Sequence, residues 1–189
     1  MLKRIWKPLT LVFVAGLLSV TWYSKYAAME RLESLPLGTE VGERAPDFSG
    51  TTVDGETVRL SDHHGRIVLI NDFATWCGPC LFETPHLVDI YNKHKNEVAV
   101  IGLNLQEQNV DVAEYKSQFN VTYPLVMDPD GALTDIYRPL GLPTSWFIDG
   151  DGIVRFVYTG PMTVELIEKV LDDIRQGREP DVFSAAGSG

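Results

Sequence analysis

Ala74-Thr75-Trp76-Cys77-Gly78-Pro79-Cys80 is the stretch that decides the fold, and it holds both cysteines of the 189-residue chain. The apolar run before it, Ile67 to Phe73, predicts a buried strand, and the residues after it, Leu81 to Lys95, predict a helix. A strand that leads into a C-x-x-C pair at the start of a helix is the setting in which such a pair carries out redox chemistry.

Strand and helix patterns alternate on both sides of this stretch. Asp54-Gly55 predicts the turn of a hairpin before it, and Asp149-Gly150-Asp151-Gly152 predicts the turn of a second hairpin near the end of the chain. Further runs predict a strand at Val98 to Leu103, a helix at Val110 to Phe119, an extended segment at Tyr123 to Met127, and helices at Asp130 to Tyr137 and Val164 to Ile174. This order predicts an α/β domain with a mixed central sheet flanked by helices.

The first 26 residues differ from the rest of the chain. Lys3, Arg4 and Lys7 precede an apolar run from Leu9 to Val20, and no acidic residue appears before Glu30. With its aromatic flanks, the run approaches the roughly 20 residues that a transmembrane helix needs. We expect residues 1–26 to form a single-pass anchor with a cytoplasmic N-terminus. A cleaved signal sequence is the alternative, although its cleavage site would be weak, and a buried soluble helix is a third.

Either of the first two alternatives exports the remainder of the chain to the periplasm or the cell exterior. We expect a linker at 27–41, the folded domain at 42–177 and a disordered tail at 178–189. The chain carries a net charge of −10, and because its first 26 residues contribute four basic side chains, the exported part carries −14. Phosphate repels such a domain, so a nucleic-acid partner is not expected.

Three segments carry a resemblance to the thioredoxin fold over roughly Gly42 to Gly177. They are the C-x-x-C stretch, Gly141-Leu142-Pro143-Thr144, and Thr159-Gly160-Pro161-Met162-Thr163. The chain most resembles the membrane-anchored, extracytoplasmic TlpA/ResA-like branch, with an added N-terminal β-hairpin. The resemblance implies that Pro143 is a cis-proline facing the cysteine pair and that Leu142 offers backbone groups to an extended substrate. An ordinary trans turn proline is the alternative, since most X–Pro bonds are trans.

The cysteine pair predicts dithiol–disulfide exchange. Cys77 would sit at a helix N-terminus, where free N–H groups and the helix dipole favour a thiolate, and Cys80, one turn further in, would resolve the mixed disulfide. A purely structural disulfide would close almost no loop, and a zinc site lacks a second cysteine pair. Trp76 would form a flat apolar surface for docking a partner chain, with core packing as the alternative.

Three polar residues near the pair need interpretation. Glu83 follows Cys80 by about one helical turn, and in the ResA-like branch a glutamate at this spacing is an acid/base group; a solvated surface carboxylate is the alternative. Classical thioredoxins carry a buried aspartate where this chain has Asn71, which cannot be a base. Asp72 would place a charge in a central strand, which is expensive. We expect it to reach solvent at the strand end, the alternative being a perturbed carboxylate near the site.

The resemblance implies an enzyme, a thiol–disulfide oxidoreductase that needs no cofactor or metal. The Gly-Pro dipeptide is that of thioredoxin, whose potential of about −270 mV is reducing. The expected task is reduction of protein disulfides, with apocytochrome c as the foremost candidate substrate and a membrane thiol donor as the source of electrons. An extracytoplasmic oxidant or isomerase is the alternative within the same class, and a module that holds copper(I) on its thiols is a less favoured one.

Overall fold

The computed structural model describes the backbone of residues 6–181 and the side chains of residues 17–27 and 29–181. Residues 1–5 of the predicted anchor and 182–189 of the predicted tail lie outside the described residues. The helices are α1 (Trp6–Ser34), α2 (Gly78–His94), α3 (Asn109–Gln118), α4 (Ala132–Tyr137) and α5 (Val164–Arg175). The strands are β1 (Ser49–Thr51), β2 (Thr57–Arg59), β3 (Ile67–Phe73), β4 (Val98–Leu105), β5 (Leu125–Asp128), β6 (Thr144–Ile148) and β7 (Val154–Thr159).

The chain divides into two compact units, Met1–Pro36 and Leu37–Gly189. Helix α1 makes up the described part of the first unit and runs through the first eight residues of the predicted linker. The physical reason is that 27–34 contains good helix formers and no Gly or Pro, whereas Pro36 restricts the residue before it and ends the helix. No helix within residues 6–181 combines the length and the apolarity that a membrane crossing requires. The membrane anchor stays a prediction.

The second unit is built on a five-stranded mixed sheet with the order β5-β4-β3-β6-β7. The central strand β3 is parallel to β4 and antiparallel to β6. Six of its seven residues are buried, as expected for a strand covered on both faces. The strands β1 and β2 form the predicted N-terminal hairpin, in which Gly55 adopts a positive φ of 86° at the turn. The predicted mixed sheet with flanking helices and an added hairpin is thus confirmed.

Side chains of β3 alternate between two apolar cores. Leu69 and Phe73 belong to the core that contains both cysteines and the inner faces of α2 and α5. Val68 and Ile70 belong to the opposite core, which includes residues of β2, α4 and the hairpin region. Because successive strand residues face opposite sides, Asn71 and Asp72 project into different cores although they are neighbours in the chain.

Candidate active site

The cysteine pair lies where β3 passes into α2. Cys77 is the N-cap of the helix, and its Sγ accepts a hydrogen bond from the backbone N–H of Cys80 at 3.2 Å. The two cysteines are joined by a disulfide. Cys77 is 6% exposed and Cys80 1% exposed, so an incoming sulfur reaches Cys77 more easily. Once the disulfide opens, a thiolate on Cys77 keeps the favourable field and free N–H groups of the helix terminus.

Apolar surface surrounds the pair. Trp76 is 69% exposed, so the core-packing alternative for this residue is wrong, and Phe82 on α2 is also exposed. The Leu142–Pro143 bond is cis, as the resemblance implied. Leu142 packs against the core that contains the cysteines, and the following strand β6 pairs Thr144 with Asp72 at the end of β3. The cis-proline loop therefore lies at the same end of the sheet as the pair.

Glu83 is fully buried on α2, three residues after Cys80. Its Oε2 accepts a hydrogen bond from Asn71 Nδ2 at 2.8 Å, and its Oε1 accepts one from the backbone N–H of Met162 at 3.0 Å. Asn71 Nδ2 also donates to Ser145 Oγ at 2.9 Å. The alternative of a solvated surface carboxylate is wrong, because Glu83 is one of the buried residues of α2 and lies three residues after Cys80.

Burial raises the pKa of Glu83 to about 7, against the opposing effect of the hydrogen bonds from Met162 and Asn71. A carboxyl group with such a pKa changes its protonation state near neutral pH, which is what a general acid or base requires. Sequence reasoning identified Glu83 and included Met162 in the segment Thr159 to Thr163, but it assigned Met162 no contact with Glu83. It missed Ser145 on β6, because the hydrogen bond between Ser145 and Asn71 joins residues far apart in the chain.

Asp72 departs from expectation. We predicted that it reaches solvent, yet it is 3% exposed, and among the residues that the structure describes its buried Oδ2 has no hydrogen-bond partner. The reason is the alternation of β3, which turns Asp72 into the core opposite the cysteines. Burial, and then the charge of Asp128, raise the pKa of Asp72 to about 7, although a hydrogen bond from the backbone N–H of Phe73 acts in the other direction.

Glu107 is a further carboxylate that sequence reasoning missed, and it contacts the segment that carries the cysteine pair. Glu107 accepts hydrogen bonds from the backbone N–H of Thr75 at 2.8 Å and from the Thr75 hydroxyl. It also accepts one from Asn104 Nδ2 at 2.6 Å. Asn104 lies in the last two residues of the inner strand β4 and Glu107 follows that strand, at the carboxyl edge of the sheet where functional side chains gather. That position was the signal that could have identified them.

Comparisons with known proteins agree with this geometry. Residues 41–157 match the model of the AhpC/TSA family. The chain is similar to the thiol-disulfide oxidoreductase ResA of Bacillus cereus, with 31% identity over 91% of this chain and 96% of that protein. ResA of Geobacillus kaustophilus is 37% identical over 71% of this chain and 78% of that protein.

A solved structure shares the fold as well. The crystal structure of a thiol:disulfide interchange protein from Chlorobium tepidum superimposes with a TM-score of 0.65 at 30% identity, covering 68% of this chain and 93% of that one. Similarity in sequence and fold, together with the Cys77–Cys80 disulfide of this chain, leads to one conclusion: the chain belongs to the thioredoxin-like AhpC/TSA family and is a thiol–disulfide oxidoreductase of the ResA type.

Proposed function

We propose that the protein is exported and reduces disulfides of other proteins outside the cytoplasm, with apocytochrome c as its foremost candidate substrate. The observation that carries the exchange chemistry of this proposal is the buried carboxyl of Glu83, held by Asn71 and Met162 about one helical turn after Cys80. Export is supported by the basic residues that precede the apolar run near the N-terminus. The Gly-Pro dipeptide between the cysteines supports the reducing direction.

The reaction begins with both cysteines reduced. The thiolate of Cys77 attacks one sulfur of the substrate disulfide, and the other substrate sulfur leaves as a thiolate. A mixed disulfide then joins Cys77 to the substrate. Its docking would use the exposed face of Trp76 and the backbone of Leu142, which precedes the cis-proline.

The second step releases the substrate. The ionised carboxylate of Glu83 takes the proton of the Cys80 thiol, and the resulting thiolate attacks Cys77 Sγ. The Cys77–Cys80 disulfide forms and the substrate leaves as a dithiol, so two electrons have passed to it. The disulfide form is the one seen in this structure. A membrane dithiol donor would return two electrons to the pair and become oxidised.

Trapping tests this order of events. Cys80→Ala removes the resolving thiol, so mixed disulfides on Cys77 should persist when the variant is expressed in its own host, and their partners can be identified by mass spectrometry. Cys77→Ala is the matched control and should trap nothing. Equal trapping by the two variants would refute the assignment of nucleophile and resolver.

The direction of electron flow is tested separately. We expect the reduction potential of the pair, measured by equilibration with glutathione or dithiothreitol buffers, to lie near the roughly −270 mV of thioredoxin. A potential near about −120 mV would instead identify an oxidant. Export is tested by adding protease to cells from which the outer membrane has been removed while the cytoplasmic membrane stays intact. A domain that is not cleaved under these conditions contradicts export.

A further inference from the structure

The segment from Ala74 to Cys77 connects the central strand to the reactive helix, and its two ends are buried in the core while its middle, Thr75 and Trp76, is not. Within this segment, Trp76 is exposed, and the N–H of Cys77 bonds only back to Ala74. Among residues 6–181, one side chain from outside both this segment and α2 forms hydrogen bonds with the segment. It is that of Glu107, which accepts hydrogen bonds from Thr75. Glu107 therefore anchors the middle of the segment, two residues before Cys77.

The carboxylate of Glu107 is in turn held by Asn104, a residue of the central sheet. Asn104 is fully buried at the end of β4, opposite Phe73 in the ladder, and its Nδ2 donates to Glu107 Oε2. Its Oδ1 accepts the backbone N–H of Glu107 at 3.2 Å, so the two residues bond reciprocally. Between them, Gln106 adopts a positive φ of 52°, which is unfavourable for a residue with a Cβ. An unfavourable backbone conformation beside a reactive segment is a reason to look for a functional role.

We propose that Glu107, through its two hydrogen bonds to Thr75, is a positioning residue that holds Cys77 at the N-terminus of α2 and so sets the reactivity of its thiolate. Glu107 touches neither sulfur, and it acts by fixing the chain two residues before Cys77. The proposal rests on dithiol–disulfide exchange alone and does not depend on the direction of electron flow or on the substrate.

Glu107 has two opposing effects on Cys77, and the variants must separate them. Its negative charge disfavours a nearby thiolate, whereas its hydrogen bonds keep the sulfur where the helix terminus favours one. Thr75→Val removes the hydroxyl but leaves the charge of Glu107, so it isolates the positioning effect. Thr75→Ser restores the hydroxyl and should restore the behaviour of the unmodified chain.

The opposite core offers a matched control. Thr134 Oγ1 donates to a carboxylate oxygen of Asp128 at 2.7 Å, in a half-buried position like that of Thr75. Thr134→Val therefore breaks the same kind of bond far along the chain from the cysteines. Both valine variants should lower the free energy of unfolding, and only Thr75→Val should alter Cys77.

The readout is alkylation of Cys77 by iodoacetamide as a function of pH, in the Cys80→Ala background so that one thiol reacts. We expect Thr75→Val to slow alkylation at pH 7 by about threefold to tenfold and to move the midpoint of the pH dependence to higher pH. This fold-change is what the loss of a charge interaction with a helix terminus produces. Thr75→Ser and Thr134→Val should match the parent. If Thr75→Val also matches the parent while remaining folded in far-UV circular dichroism, the proposal is overturned.

A double-mutant cycle identifies the partner. In a Glu107→Ala background, the effect of Thr75→Val on alkylation should largely vanish, because the partner of the Thr75 hydroxyl is already gone. An unchanged effect would show that Thr75 acts without Glu107 and would also overturn the proposal. Since alkylation uses neither a substrate nor a donor, failure here leaves the proposed reducing function standing, and failure of substrate trapping leaves this inference standing.

Discussion

Replacing Asp72 with Asn should stabilise the protein at alkaline pH and leave it unchanged in acid. Asn can keep the hydrogen bond from the N–H of Phe73, and its amide group stands where the protonated acid has its hydroxyl. Either group leaves a buried donor without a partner at the position of Oδ2. Asn is thus a close mimic of neutral Asp72, and the two proteins differ only where Asp72 is ionised.

The magnitude follows from the raised pKa. In the unfolded chain Asp72 ionises around its ordinary value of 3.8, whereas in the folded protein it ionises around 7. Between these values only the unfolded state loses its proton, so the stability of the unmodified protein falls as pH rises through this window. The difference of about 3 pKa units corresponds to about 4 kcal/mol, which is a large share of the stability of a typical domain.

The assay is urea unfolding of the two proteins, followed by tryptophan fluorescence at several pH values. The free energies of unfolding should agree near pH 4, diverge between pH 4 and 7, and differ by about 4 kcal/mol in favour of Asp72→Asn above pH 7.5. Asp89→Asn, at an exposed carboxylate on α2, is the matched control and should show no such divergence. Glu83 is present in all three proteins, so its titration cancels. A difference that stays constant across this range would refute the reasoning.

Three further outcomes are expected. Glu83→Gln should lower turnover about 100-fold or more and abolish the rise of activity with pH through about 7, because the ionised carboxylate is the base; a retained pH profile in a disulfide-reduction assay would contradict this. Asp128→Ala should lower the free energy of unfolding by about 2 kcal/mol in urea titrations, since its carboxylate accepts the N–H groups of Leu133 and Thr134 at the start of α4. Trp76→Ala should raise KM for a protein substrate about tenfold with little change in kcat or stability, because an exposed hot-spot aromatic contributes to docking alone; an unchanged KM would remove Trp76 from the docking surface.

The sequence predicted most of the fold because its strongest signals are local. The run Ile67–Phe73 coincides with the observed β3, and Asp54-Gly55 forms the turn of the hairpin, since periodicity and turn chemistry depend on neighbouring residues. The cysteine pair was identified in the same way. The cis bond before Pro143 came from the resemblance to a family and not from residue patterns.

What the sequence could not supply was contact between distant segments. The hydrogen bonds between Met162 and Glu83 and between Thr75 and Glu107 form only after the sheet and its helices have assembled. The wrong expectation for Asp72 has the same origin. A charge near the end of a strand is normally solvated, and only the tertiary packing of α4 and the N-terminal hairpin region shows that this end is covered.

Two buried carboxyl groups, those of Glu83 and Asp72, can affect the pH dependence of this enzyme, and their positions in the fold decide which of them acts on the cysteines. Glu83 and Asp72 both have a pKa of about 7, so a change in activity near neutral pH has these two carboxyls as candidate sources besides the cysteine thiols. They lie in opposite cores, and Asn71, the neighbour of Asp72, belongs to the hydrogen-bond network of Glu83. Because the side chain of Asp72 projects away from the core that contains the cysteines, we expect its ionisation to act on activity through the stability of the whole domain. At temperatures well below unfolding, Asp72→Asn should leave the pH profile of activity intact while Glu83→Gln removes it, and the reverse result would place the base on the strand instead of the helix.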